Sequence, residues 1–400
     1  MNVATSRGDL GWLLNAIPSM RETFRSSWQP WFVQVEPGQR HRLEAACVEL
    51  GLTVVDTIER QLHDLAAVRL PSTDQAAARA AFTEQVVRAC GDRDAYGTWV
   101  WFPWESKVVH VLDREDYFDV ITNRNQDKIT REEQLRLRDK RVAVVGLSVG
   151  GEAAVTVAQE HLCGTIVLAD FDRLDLSNLN RLHAGCDDLG ENKAVLVARR
   201  IAKINPYLDI RVFADGVRES NLGAFLDGVD LLIEECDDLR MKHVIRGIAK
   251  ERGLDVVFAA DERGFLSVEP YASAPDLQVF HGRIEAPQPP RDAFHTPLAF
   301  MRALTEWMGG WDQISERSRR SLERIGASLS GYPQLASEAR YAAGQLGHVA
   351  RRLLLGERLA PMLLHMDPAD VIPTRSGVAT VDEAQIGTWG RASVVPPEQG

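Results

Sequence analysis

Between residues 141 and 271 the chain alternates short, wholly apolar runs with amphipathic helical stretches, and this alternation constrains the fold more than any other feature. "RVAVVG" precedes "GEAAVTVAQEHL", "TIVLAD" precedes "NKAVLVARRIAKIN", "DIRVFAD" precedes "LGAFLDG", "VDLLIEE" precedes "LRMKHVIRGIAKERG", and "LDVVFAA" and "FLSVEPY" close the series. Strands that are apolar on both faces need helices over both, which specifies an α/β fold with a doubly wound, mainly parallel Rossmann-like sheet. Residues 28–112 mix strand-like runs ("WFVQV", "LTVVD", "AAVRL", "TWVWF", "KVVHVL") with two helical patterns, as a small α/β module does. Beyond a proline-rich hinge, "EAPQPPRD", the pattern is helical. The expected organisation is an N-terminal α/β module at 1–118, the doubly wound domain at 119–285, a C-terminal helical region at 286–372 and a loosely ordered tail at 373–400.

Composition narrows the partners. The net charge of −11 argues against a general nucleic-acid or anionic-membrane binder, and leaves room for a locally basic pocket. No stretch supplies the roughly 20 apolar residues of a membrane span. The five cysteines (Cys47, Cys90, Cys163, Cys186, Cys236) show no CxxC spacing, so neither a thiolate zinc site nor a disulfide framework is expected, and a cytoplasmic setting fits.

"VVGLSVGGEAA" places Gly146, Gly150 and Gly151 between a strand and a helix, where backbone N–H groups and the positive helix end can receive phosphate. The dinucleotide fingerprint G-x-G-x-x-G is matched at Gly146 and Gly151, but Ser148 stands at its middle position. Asp170 ends the next strand at about the fingerprint's distance of 20 residues, where a carboxylate accepts ribose hydroxyls; that suits NAD and ATP equally. Asp172, a second candidate for the nucleotide, also reads as a turn aspartate capping its own backbone. Arg181 closes the "SNLNR" turn, Lys193 opens a helix and Asp237 follows the strand "VDLLIEEC", all near the carboxyl edge of a doubly wound sheet. Two cations and a Mg²⁺-holding carboxylate around a triphosphate make chemical sense: the cations take the charge that builds on phosphate during attack.

These residues carry a resemblance. "DFDRLDLSNLNR" (170–181), "NKA", "INP" and "CDDLRMK" resemble the D-x-D-x-V-x-x-S-N-L-x-R, lysine-alanine, I-N-P and D-N-x-x-x-R/K segments of the ThiF/MoeB/HesA adenylyltransferases, which share their fold with ubiquitin-activating enzymes. The resemblance implies that Asp170 binds ribose, that Asn178, Arg181 and Lys193 line the phosphates of ATP, and that Asp237 coordinates Mg²⁺. "NRNQDKITREEQ" resembles the family's R-x-x-R-Q segment; Arg124 would then reach the γ-phosphate of a neighbouring subunit, which implies a homodimer. The "PQLAS…RRLLLG" stretch resembles bacterial chains in which this domain is fused to a nitroreductase-like domain.

Three departures stand out. Ser148 and Val149 replace the family's central glycines, the zinc-binding CxxC pairs of many members are missing, and no cysteine follows Cys236. Cys236 at a strand end reads as a small hydrophobe and Cys186 as structural, so adenylation without an enzyme thioester is expected. Asp238 either shares the metal or caps the next helix. Arg263 reads as a surface ion-pairing residue ahead of a contact for a substrate carboxylate, "WVWFPWE" as core ahead of a peptide-docking face, and His183 and His281 have no assigned role. The expected reaction is attack by a substrate carboxylate (a peptide, a ubiquitin-like protein or a small acid) on the α-phosphate of ATP. The alternatives are a nicotinamide-dependent oxidoreductase and a non-catalytic nucleotide-binding partner in a heterodimer.

Overall fold

In the computed structural model, residues 7–8, 11, 27–72, 74–284 and 297–372 are described. The hinge "EAPQPPRD", the tail at 373–400 and most of the stretch before residue 27 lie outside them. The chain divides into two compact units, Met1–Leu135 with Ala198–Ile210, and Arg136–Val197 with Arg211–Gly400. The C-terminal helices belong to the same unit as the doubly wound sheet.

The first unit contains a five-stranded sheet in the order β1-β2-β4-β5-β3. Its strands are β1 (Arg7–Gly8), β2 (Trp31–Val33), β3 (Thr53–Asp56), β4 (Thr98–Phe102) and β5 (Lys107–Val111). Helices α1 (Arg40–Leu50), α2 (Ile58–Arg69), α3 (Ala76–Ala89) and α4 (Arg114–Thr122) belong to the same unit. Alternation along β4 sends Trp99 and Trp101 into one core with Val33, Leu43, Cys47 and Val108, and Val100 and Phe102 into another with Phe32. "WVWFPWE" thus supplies buried packing. "AAVRL" is not a strand: it ends α2, because Ile58, Leu62, Leu65 and Ala66 form one buried helical face that a period of two would split. Helix α5 (Arg131–Leu137) follows, opened by a reciprocal Thr130–Glu133 cap.

The second unit's sheet has seven strands in the order β12-β11-β10-β9-β6-β7-β8. β6 (Arg141–Val145), β7 (Thr165–Ala169), β9 (Leu231–Glu234) and β10 (Asp255–Ala259) pair in parallel, whereas β11 (Phe265–Glu269) runs antiparallel to β10. β8 (Asp209–Phe213) lies beyond β7 at the edge. The helices are α6 (Val149–Gln159), α7 (Lys193–Ile204), whose residues from Ala198 onward are assigned to the first unit, α8 (Leu222–Phe225), α9 (Leu239–Glu251), α10 (Pro297–Met308), α11 (Glu316–Leu322) and α12 (Ala336–Leu354). The expected helical region at 286–372 also holds a strand, β12 (Met362–His365), which returns to the sheet beside β11. The chain winds from β6 outward through β7 to β8, then crosses back to β9 and winds the other way. The switch point therefore lies between β6 and β9, and ligands of open α/β sheets bind outside the carboxyl ends of such strands.

Candidate nucleotide site at the switch point

The turn after β6 is fixed by close backbone approach. Gly146 has φ +81°, and a Cβ there would fall 2.3 Å from the Glu235 carbonyl oxygen, so no other residue fits without moving the end of β9. Gly150 packs on Val144 and Glu235, and Gly151 on Val197, so these two serve helix packing. Asp170 ties the turn to the end of β7: its Oδ2 accepts the Leu147 N–H (2.7 Å) and its Oδ1 accepts the Asp172 N–H (2.8 Å). Burial pushes its carboxyl up, against those two hydrogen bonds. Ser148 stands at the N-cap of α6 without capping an amide through its side chain; instead its Oγ accepts Arg181 Nε (3.3 Å).

The charged groups converge from separate elements. Asp175 and Asn178 cap the 3-10 turn Leu176–Asn180 reciprocally, with Asn178 Oδ1 accepting the Asp175 N–H (3.0 Å), and this delivers Arg181 to the turn's end. Besides Ser148, Arg181 donates to Asn180 Oδ1 (2.8 Å) and the Ser177 carbonyl (3.4 Å), all neutral acceptors. Burial lowers its pKa, opposed by Asp261 and then Asp237, so both carboxylates lie within electrostatic reach without forming an ion pair. Lys193, buried at the start of α7, donates to Asp172 Oδ2 (2.8 Å). Asp172 is therefore the counter-ion of Lys193, in addition to holding the Lys193 amide through its carbonyl (2.9 Å).

Each residue after β9 has a distinct task. The Glu235 side chain accepts the Ala259 N–H (2.8 Å), and its carboxyl is raised well above normal by burial. The Cys236 N–H donates to Glu234 Oε1 (2.9 Å), and burial pushes its thiol well up, away from the nucleophilic thiolate. Asp238 caps α9 by accepting the Met241 N–H (2.6 Å), which is one of the two readings of that residue. Asp237 is left: it reaches solvent, and its carboxyl is raised, first by the protein packed around it, with Lys242 and Lys193 opposing.

Two more outcomes concern residues past β10. Arg263 pairs with Asp367 (2.9 Å) and Asp370 (3.1 Å), so it is the surface ion-pairing residue expected. Asp261 was not singled out from sequence. It carries the same signal as Asp237, a carboxylate just past a buried parallel strand, but "ADERG" reads first as a turn around Arg263. Arg124 lies in the first unit, in the 3-10 turn Asn123–Asn125. His183 braces the buried Glu152 (2.8 Å). No group of three or more His, Cys, Asp or Glu residues arranged to hold a metal occurs among the described residues. A cation here would rest on fewer carboxylates plus phosphate oxygens, as Mg²⁺ sites commonly do.

A doubly wound sheet with a glycine turn, a carboxylate at the end of β7 and charges gathered at its switch point has the build of a nucleotide-binding α/β domain. Residues 122–281 match the model of the ThiF family, and the chain carries a ThiF-family domain. An uncharacterised protein of Mycobacterium tuberculosis is 38% identical over 269 residues, 67% of this chain and 38% of that protein. A probable molybdopterin-synthase adenylyltransferase of Porphyra purpurea is 26% identical over 41% of this chain and 44% of its own length. Ubiquitin-like modifier-activating enzyme 5 of Drosophila sechellia is 32% identical over 30% of this chain and 33% of its own. The chain thus spans less than half the length of each of these relatives. Among solved structures, the AMP complex of the Escherichia coli tRNA N6-threonylcarbamoyladenosine dehydratase TcdA aligns at a TM-score of 0.40 and 19% identity, over 56% of this chain and 90% of that one. No helix among the described residues is long and apolar enough to cross a membrane.

Proposed function

We propose that the chain is an ATP-dependent adenylyltransferase that activates a substrate carboxylate as its acyl adenylate and releases pyrophosphate. The supporting observation is the guanidinium of Arg181, held on neutral oxygens beside Asp237 at the switch point of a ThiF-family domain. Asp170 would take the ribose, and the Ser148 hydroxyl and the first turn of α6 would meet phosphate. When the substrate carboxylate attacks the α-phosphate, charge builds on the phosphate oxygens. Arg181 and Lys193 are placed to receive it, the latter by exchanging Asp172 for phosphate. Mg²⁺ would supply charge neutralisation on the leaving pyrophosphate, and Asp237, a hard oxygen donor with no side-chain hydrogen bond to the described residues, would hold it. Cys236 is half-buried with a raised thiol pKa, so direct transfer of the acyl group from the adenylate to an amine, a sulfur carrier or an internal nucleophile, with AMP leaving, fits better than a thioester at that residue. Arg124 would complete the site of a partner copy in a homodimer.

The test is ATP–pyrophosphate exchange by the purified chain with MgATP and a panel of C-terminal peptides and carboxylic acids; exchange that depends on one of them is expected, and none with any acid would count against the reading. Thermal denaturation with ATP or NAD separates it from the oxidoreductase. A ligand at a hundredfold excess over its Kd adds about 2.7 kcal/mol, and ATP alone is expected to do so.

A further inference from the structure

We propose that Asp261 is a second carboxylate of the Mg²⁺ site, opposite Asp237 across the ends of β9 and β10. This rests on the adenylation reading and adds a ligand to it. β9 and β10 pair in parallel with Val257 opposite Ile233; Asp261 and Asp237 stand equally far beyond that pair, and the Ala259–Glu235 hydrogen bond (2.8 Å) keeps the two chains together past the strand ends. Adjacent strands lie about 4.8 Å apart, a separation from which two carboxylates reach one cation. The Asp261 Oδ2 atom is buried and has no hydrogen-bond partner among the described residues, although the Asp261 side chain does accept from Gln334. Gln334 is itself anchored to the Arg181 turn, since Asn180 Nδ2 donates to its carbonyl (2.8 Å). A buried carboxylate oxygen with no donor is costly unless a ligand completes it. The cations nearby do not: Lys193 is engaged with Asp172, and Arg181 with neutral oxygens. A small divalent ion held by two carboxylates and by phosphate oxygens satisfies the orphaned atom.

The test uses the full chain with Mn²⁺ as probe and α,β-methylene ATP as nucleotide, bound Mn²⁺ being counted by electron paramagnetic resonance. Asp261→Asn and Asp237→Asn are each expected to weaken Mn²⁺ binding about tenfold or more, the scale seen on removing groups that support a metal. Asp238→Asn, altered at a helix cap, is expected to match wild type, and nucleotide affinity in EDTA is expected to be equal in all. Wild-type Mn²⁺ affinity in Asp261→Asn overturns the proposal and leaves the adenylation reading standing. A wild-type chain that binds no nucleotide removes both. A wild-type crystal with Mn²⁺ and the analogue needs no substitution: an anomalous peak ligated by both carboxylates is expected, and one bound by Asp237 alone refutes the assignment.

Discussion

Glu234 and Asp237 are neighbours in the chain, yet they belong to opposite kinds of charge cluster. Glu234 lies in a buried network in which Lys242 (3.1 Å) and Arg246 pair with it, and Arg246 also reaches Glu269 (2.7 Å). Glu269 in turn accepts the Tyr271 hydroxyl (2.7 Å) and the Phe280 N–H (2.8 Å), and the Arg246 guanidinium lies over the rings of Phe280 and Trp307. Burial alone would raise the Glu234 carboxyl, but Lys242 and Arg246 outweigh it and hold the group at about 2. At the carboxyl edge the reverse holds: desolvation by the protein packed around them prevails over nearby cations at the solvent-reaching Asp237 and the half-buried Asp261, and both carboxyls are raised. The contrast separates structural charge from functional charge. Where the protein supplies the counter-charges, the group builds the fold; where it withholds them, the group waits for a ligand.

The comparison is most open to attack at Arg246. Arg246→Met would leave Glu234 and Glu269 buried with Lys242, paired to Glu234, as the remaining cation of the network, and removal of one partner from such a network costs about 3–5 kcal/mol. Calorimetry and urea denaturation should agree on a loss of this size, and a loss under 1 kcal/mol would mean the network is not structural. Because the Glu234 carboxyl is depressed, its stabilisation is present above the unfolded value of 4.5 and lost as the pH falls toward 2. At the other cluster the signs invert. Arg181→Ala removes a desolvated guanidinium that has no ion pair among the described residues, so the melting temperature should hold or rise. Exchange should fall about 10²–10³-fold, the cost of losing one preorganised donor to a transition-state oxyanion. Unchanged exchange would place Arg181 outside the chemistry.

Sequence made the doubly wound unit legible because its strands are buried on both faces and its helices on one, two periods that cannot be confused. It also named most of the groups at the switch point, since the glycine turn, "SNLNR" and "CDD" each carry local signals. What it could not show was pairing. That Asp172 neutralises Lys193, that Asn178 Oδ1 is used in capping its own turn and that Asp261 shares an edge with Asp237 all depend on contacts between distant segments. β12 escaped for a related reason: "MLLH" is four residues long and takes its identity from β11 alone. "AAVRL" reads as a strand in isolation because β-branched and small apolar residues suit both a strand and a helix end, and only the full buried face from Ile58 shows the helix.

Gly146 joins the two clusters, since its turn rests on Glu235, between Glu234 and Asp237. Gly146→Ala forces a side chain against the Glu235 carbonyl at a positive φ. A strained backbone of this kind costs about 1–3 kcal/mol. The loss should appear both as a lower melting temperature and as weaker ATP binding, because the same displacement moves Asp237. A variant with wild-type nucleotide affinity would show that the turn and the end of β9 are independent.

The smallest effect tests whether the edge cluster is short of cations. Glu338, at the start of α12, has its carboxyl pushed up to about 7, first by burial and then by the charges of Asp261 and Glu262, with Asp367 contributing and the Leu335 backbone hydrogen bond opposing. In the folded chain it therefore keeps its proton well above 4.5, its ordinary value. The stability this contributes is fully present below 4.5 and is lost as the pH rises through about 7, where Glu338 must ionise beside other carboxylates. Glu338→Gln cannot ionise, so its melting temperature relative to wild type should climb between pH 5.5 and 8 and level off beyond. A difference independent of pH would show that Glu338 titrates normally, and that the carboxylates at this edge are screened from one another. If Mg²⁺ with the methylene analogue shifts the midpoint of that climb downward, a cation has entered beside Asp261; if the midpoint stays, the cation has bound elsewhere.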